Sequence, residues 1–256
     1  MSSGRLRGGP VVDFDVFMIA YRERNRAAHW ERLRGFVPEA RLVEGIKGIA
    51  AAHCACAELA RTPWFFVVDA DNWVLDGFDF AVPFDPDPDE VATWAATNPI
   101  NGLYYGHGGI KLFPKARFAE AATRDFGIDM SMNLALRNRW LDIRASEHRF
   151  NTDPYNTWGT AFRECVKLVV GTTLGGFRPR ALARARLETW CTKGAEARFG
   201  QWCLAGAREG RLYGRKYCRD DTALQRINDY AWMRALFDRL HRQRPVGSKQ
   251  VPERSS

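Results

Sequence analysis

The chain has 256 residues, 46% hydrophobic and 12% aromatic, with a net charge of +8. That supplies one sizeable α/β core with a small appended lobe. No apolar run approaches the length of a membrane span and the N-terminus lacks a signal peptide's apolar core, so a soluble, cytoplasmic protein with no membrane partner is expected. The six cysteines have no paired Cys-x-x-Cys spacing and read as reduced thiols in or near the core. His53, Cys54 and Cys56 match no known zinc-finger spacing.

Residues 1–10 are Gly-rich and read as a disordered tail. Residues 14–20 form a first strand, residues 27–36 a helix and Arg41-Leu42-Val43 a short second strand. The turn after the first strand, Ala20-Tyr21-Arg22, is where an α/β sheet grips a base and ribose. It lacks the Gly-rich phosphate loop of a Rossmann fingerprint. Residues 44–60 read as a buried helix, apolar on most of its surface, with Lys47 near its start at the nucleotide edge of the sheet. His53 within it is either a satisfied core histidine or a pocket-edge ligand.

Phe65-Phe66-Val67-Val68 is a strand buried on both faces, and it ends in Asp69-Ala70-Asp71-Asn72. Alternation sends Asp69 and Asp71 to one side, beyond the carboxyl end of the strand, where α/β sheets bind ligands. Two such carboxylates suit Mg²⁺ or Mn²⁺, although an acidic strand-end turn has the same composition. A haloacid-dehalogenase phosphatase would carry Thr or Val where Trp73 stands.

Residues 76–90 are an acidic, Pro-rich surface loop and residues 91–96 a strand. Gly106-His107-Gly108-Gly109 then separates two short apolar stretches: a hairpin turn, or a place where bare backbone approaches a ligand and His107 projects. Residues 116–126 read as a short helix, with strands at 128–136 and 140–143. A polar, aromatic loop containing His148 and Asp153 leads into a helix carrying Phe162-Arg163-Glu164. From Leu182 the chain is helical and basic, with a Gly-spaced basic turn over 206–216 and a last helix over 221–240.

Charge is unevenly spread. Residues 11–100 hold 8 basic and 15 acidic side chains, or −7, whereas residues 101–238 hold 23 and 14, or +9. Within the latter, residues 178–219 carry 11 basic side chains against 3 acidic ones. The first half reads as a metal and nucleotide module, and the second as a solvated basic face or a surface that meets a polyanion.

Several stretches together resemble the bacteriophage GT-A-fold glycosyltransferases associated with TET-type dioxygenases. They are Val16-Phe17-Met18-Ile19-Ala20-Tyr21, Gly45-Ile46-Lys47-Gly48-Ile49, the Asp69-Ala70-Asp71-Asn72 strand end, Asn98-Pro99-Ile100-Asn101-Gly102-Leu103 with Gly106 to Pro114, and Phe150-Asn151-Thr152-Asp153-Pro154 through Cys165. The match spans about residues 12–215. The resemblance implies a GT-A-like, mixed but mainly parallel sheet flanked by helices. It implies a UDP-sugar donor, Mn²⁺ or Mg²⁺ on Asp71 and Asp69, and a hydroxymethylated cytosine in DNA as acceptor. Ala20, Tyr21, Arg22, Lys47, Asp69 and Ala70 would border the nucleotide, with Gly106, Gly108 and Gly109 along the sugar. His107 and Asp153 are the expected catalytic groups, Asp153 as general base unless it is only a turn-former before Pro154. Glu164 is a second choice, read as a partner of Arg163 or a cap. His148 is a candidate third metal ligand.

The expected organisation is a tail at 1–10, a nucleotide-sugar core at 11–177, a basic helical lobe at 178–240 and a basic tail at 241–256. A glycosyltransferase acting on a protein or glycan, or a non-enzymatic nucleic-acid-binding protein, would share much of this pattern. The transferred sugar, its anomeric outcome and the oligomeric state are open at this point.

Overall fold

A computed structural model describes residues 13–119, 121, 126–171 and 180–242. The tail expected at 1–10, most of that at 241–256, part of the helix at 116–126 and the junction at 178–179 lie outside these residues. Strand β1 (Asp15–Ala20), helix α1 (Arg26–Phe36), β2 (Arg41–Glu44), α2 (Ile49–Leu59) and β3 (Trp64–Asp69) make the first half. β1 lies between β2 and β3 and is parallel to both. Its apolar run is buried because each face is covered. Val16, Met18, Phe66 and Val68 pack with Leu33 of α1, and Phe17, Ile19, Phe65 and Val67 pack with Ala52, Cys56 and Ala57 of α2.

The chain continues through β4 (Asn72–Val74), β5 (Glu90–Thr97), β6 (Tyr104–Tyr105), β7 (Lys111–Pro114), α3 (Met130–Asn133) and β8 (Arg137–His148). The strand order is β2-β1-β3-β7-β5-β8-β4, with β6 on β5. Antiparallel β7 joins β3 to β5, whereas β5 and β8 run parallel over the longest pairing of the sheet. The sheet is therefore mixed and, by length paired, mainly parallel, with helices against it.

Three local expectations are corrected. Helix α2 starts at Ile49, because Gly48 at φ 98° ends the preceding bend, so Lys47 is exposed outside the helix. Only one face of α2 is buried, with Ile49 and Leu59 exposed. Residues 128–136 hold the short helix α3 rather than a strand, and the strand expected at 140–143 is the middle of twelve-residue β8.

Five helices complete the described residues: α4 (Pro154–Val170), α5 (Arg180–Thr192), α6 (Gly200–Tyr217), α7 (Asp221–Gln225) and α8 (Tyr230–His241). The last two divide the single helix expected over 221–240. The basic turn expected at 206–216 is helical, the middle of α6. Gly206, Gly210 and Gly214 recur every four residues and form one face of α6 that meets α4. A Cβ on Gly206 would lie 2.2 Å from the Trp158 carbonyl oxygen, and one on Gly210 2.3 Å from that of Phe162. These glycines set how closely the two helices approach. Helix α4, which begins at Pro154, packs against α6 along this face. No helix among the described residues is long and apolar enough to cross a membrane.

Candidate active site

A cleft of about 240 Å³ opens at the carboxyl ends of β1 and β3. One wall is the β1–α1 turn with Ala20, Tyr21 and Glu23, beside Ile46, Gly48 and Ile49 ahead of α2. The floor carries Asp69, Asp71, His107, Lys111 and His148. The opposite wall is a face of α4, Thr160, Arg163, Glu164 and Lys167, whose spacing of three, four and seven residues places them together.

The two acids stand in different surroundings. Asp71 Oδ2 is 2.8 Å from His148 Nε2. The contact spans 77 residues of sequence and is made by β4 pairing antiparallel with β8, in which Asn72 lies opposite His148. Burial works against the Asp71 carboxylate, but His148 outweighs it and holds the group below its usual range. Burial likewise disfavours a charged His148, and Asp71 overcomes this to hold the imidazole above its usual range. Asp69 has a looser partner, Lys111 Nζ at 3.8 Å. Buried Asn72 ties the floor together: its Nδ2 donates to the Gly108 carbonyl and to Asp71 Oδ1 at 3.2 Å, and its Oδ1 accepts from Ser146 Oγ at 2.7 Å.

Behind His148, His107 Nδ1 lies 3.0 Å from His148 Nδ1. His107 is 6% exposed, and burial first, then the charges of His148, Arg186 and Lys111, push it well below the usual histidine range. His107 therefore lies buried against the His148 ring at the edge of the cleft, where the sequence suggested a side chain projecting from a turn. With His148 Nε2 engaged, one Nδ1 of the pair must donate and the other accept, so the tautomers of the two rings are linked. At the neighbouring glycines the protein itself leaves no room for a side chain. A Cβ on Gly108, at φ +57°, would fall 2.8 Å from the His148 ring, and one on Gly109 2.1 Å from the Trp94 carbonyl.

The donor set suits a small divalent cation. Two ligand atoms each about 2.1 Å from one ion, at right angles, stand roughly 3 Å apart, close to the Asp71–His148 spacing. Among the described residues no group of three or more His, Cys, Asp or Glu converges on a metal position. The chain would give two ligands and leave the rest to water and substrate oxygens, as Mg²⁺-type sites commonly do.

Of the residues expected at the nucleotide and sugar, Ala20, Tyr21, Asp69, Gly106 and Gly108 line the cleft, whereas Arg22, Lys47, Ala70 and Gly109 do not. Arg22 and Lys47 are exposed, and Ala70 and Gly109 are buried behind the wall. Asp153 is also off the cleft. It is the N-cap of α4, accepting from the Asn156 backbone N–H at 2.9 Å, and it pairs with Arg24 at 3.1 Å. Asp153→Asn keeps the cap and is expected to leave turnover and melting temperature nearly unchanged; a collapse of turnover alone would restore its role as base.

On the α4 wall of the cleft the carboxylate is Glu164. It accepts from the Tyr105 hydroxyl at 2.6 Å, and that oxygen in turn accepts from Trp190 Nε1 at 2.9 Å. Neither Arg163 nor a helix end is its partner. Sequence reading did not single out Lys111, Lys167 and Tyr230 for the site, took Glu23 only as part of the turn after the first strand, and took Arg163 only as a partner of Glu164. The one available signal was the polar stripe of Arg163, Glu164 and Lys167 along an otherwise apolar helix.

His53 also lines the cleft, with Nδ1 2.8 Å from the Ile49 carbonyl. Burial, only partly offset by Asp69, pushes its pKa down to about 4. The unfolded chain takes up this proton near pH 6.5 and the native chain does not until about 4, so stability is full above 6.5 and falls as pH drops towards 4. Between pH 7 and 5 the native protein should lose about 2 kcal/mol more than His53→Gln in urea unfolding. Parallel stability profiles would contradict this.

No protein-family model matches the chain, and no curated protein matches it. Among solved structures, the mannosyltransferase PcManGT from Pyrobaculum calidifontis, in complex with GDP-Man and Mn²⁺, is 14% identical. The match covers 93% of this chain and 92% of that one, with a TM-score of 0.43. A TM-score this low fixes neither fold nor activity, so the functional reading rests on this chain's own side chains.

Proposed function

We propose that the chain is a metal-dependent glycosyltransferase of the GT-A class, taking a UDP-sugar as donor and a hydroxymethylated cytosine in DNA as acceptor. The observation that carries the donor half is the Asp71–His148 pair at the end of β3. It sits on the floor of a cleft whose far wall presents Arg163 and Lys167 beside Glu164, with Lys167 paired to Asp129 at 2.9 Å. Asp71 and His148 would hold Mn²⁺ or Mg²⁺, with Asp69 beside them, and a cation there would supply neutralisation of the charge on the donor's diphosphate. Tyr21 and Ala20 border the base and ribose, while Lys111, Arg163 and Lys167 face the anionic groups. Glu164 takes the acceptor-side carboxylate role in place of Asp153. Tyr105 holds its Oε1, leaving the second oxygen to accept a proton from an acceptor hydroxyl.

The acceptor half is supported by charge: residues 178–219 carry 11 basic side chains against 3 acidic ones. The test is mass spectrometry of nucleosides digested from 5-hydroxymethylcytosine DNA after incubation with Mn²⁺ and a panel of UDP-sugars. A hexose-sized gain on the modified nucleoside is expected. Donor hydrolysis with no gain would keep the donor site and remove the DNA acceptor. With folded protein, the absence of both would remove the enzyme reading.

A further inference from the structure

A second, wider concavity of about 640 Å³ lies on the helical lobe, where the first turns of α4 and α6 meet α8. Three half-buried aromatic rings, Tyr155, Trp202 and Phe237, and three exposed arginines, Arg24, Arg234 and Arg242, line it. The rings form one cluster: Phe237 is 5.3 Å from Trp202 and 5.5 Å from Tyr155, centroid to centroid. The Arg234 guanidinium lies 3.5 Å over the Tyr155 ring. Two acids, Asp153 and Asp238, also line the groove. Asp153 is already engaged by Arg24 and by the end of α4, whereas Arg234 and Arg242 have no ion pair among the described residues.

The groove adjoins the cleft. The Tyr155 hydroxyl donates to the Tyr230 carbonyl at 3.2 Å, and the Tyr230 ring stacks at 6.4 Å on Tyr21 at the cleft wall. A ligand in the groove would therefore lie one residue away from the proposed transfer site.

We propose that this groove binds a single strand of nucleic acid, its bases stacking on Tyr155, Trp202 and Phe237 and its phosphates on Arg24, Arg234 and Arg242. The inference rests on the DNA-acceptor reading and extends it by naming the surface that holds the strand. Aromatic faces beside backbone-tracking cations are the chemistry of single-strand recognition, and stacking accepts any base. An arginine lying on an aromatic ring offers a stacking plane and a charge together. A neutral glycan would also stack on the rings but gives the two unpaired arginines no anion. An unpaired strand also matches an enzyme that must bring a base's hydroxymethyl group out of a duplex to reach it.

The experiment is fluorescence anisotropy of a labelled single-stranded DNA 12-mer with the full chain over a range of salt. The variants are Arg234→Gln/Arg242→Gln, Trp202→Leu and, as a charge-matched control outside the groove, the cleft and the basic 178–219 stretch, Arg34→Gln/Arg61→Gln, two exposed residues in the last turn of α1 and ahead of β3. The first pair should weaken binding by at least tenfold and reduce the slope of log K against log salt by about 1.4, the loss of two phosphate contacts. Trp202→Leu should weaken binding about tenfold at every salt concentration, with its melting curve verifying the fold. The control should bind nearly as the native chain does. Equal losses in the control, unchanged affinity in both groove variants, or binding of neutral oligosaccharide but not DNA would overturn the proposal. UDP-sugar hydrolysis without DNA is measured in parallel. Hydrolysis by a chain that does not bind DNA sinks the groove alone, and DNA bound in the groove of a chain with no hydrolysis sinks the glycosyltransferase alone.

Discussion

Asp71→Asn is expected to lower donor hydrolysis and sugar transfer about a thousandfold while the protein stays folded. The substitution keeps the volume of the side chain, and its amide oxygen still accepts the His148 Nε2 hydrogen bond made at 2.8 Å in the native chain. What it removes is the negative charge that pairs His148 with a cation. Loss of one preorganised charge at a diphosphate is worth about 4 kcal/mol, or three decades in rate. His148 can lose its proton when Asp71 is neutral, so no isolated buried charge remains and the melting temperature should move by only a few degrees. Steady-state turnover and a melting curve on the same sample check both halves. Activity within tenfold of native would remove Asp71 from the site.

The largest expected stability effect lies away from the cleft, where α6 meets α4. Gly210→Ala places a methyl group 2.3 Å from the Phe162 carbonyl oxygen, a backbone atom fixed within α4. The helices must separate. That opens space around Phe162 and Cys165, both almost fully buried. Overpacking of this kind costs about 3 kcal/mol, more than the roughly 1 kcal/mol that Ala gains over Gly in a helix. At this chain length it should lower the melting temperature by about 8 °C. Gly35→Ala is the counterpart. Gly35 is exposed in α1 with nothing within 4 Å of the new methyl, and the change should stabilise by about 0.5 kcal/mol. Opposite signs from one chemical change would isolate packing from propensity; two gains would show that α6 has room to move.

The strands were legible because burial on both faces leaves a continuous apolar run. Phe65 to Val68 and Val16 to Ala20 are buried as their sequences require. The bends were less legible. Gly48 ends the segment before α2, yet an apolar period reads through it to Glu44. Glycines misled in two opposite ways. Gly206, Gly210 and Gly214 read as a turn by local preference, while tertiary packing against α4 makes them a helix face. Gly108 and Gly109 read as space for a ligand, while the His148 ring and the Trp94 carbonyl occupy that space.

In the candidate site, Asp71 was legible from its place after a buried strand. Its partner was not fixed by pattern, since His148 reaches it through β4–β8 register across 77 residues. Glu164 was hidden for the same reason. Its nearest charged neighbour in sequence is Arg163, but its bond is to Tyr105, 59 residues away. Asp153, by contrast, carried its answer locally: an acid before Pro154 and three residues ahead of Asn156 is an N-cap, and the structure uses it as one.

The central claim is a cation held by Asp71 and His148 that receives a nucleoside diphosphate. Its most direct test is calorimetric titration of UDP into the full chain, once in Mn²⁺ and once in EDTA, repeated on Asp71→Asn. The account predicts binding at least tenfold tighter in Mn²⁺, with that gain absent in the variant. Equal affinity in Mn²⁺ and EDTA, or a gain that survives Asp71→Asn, would contradict it.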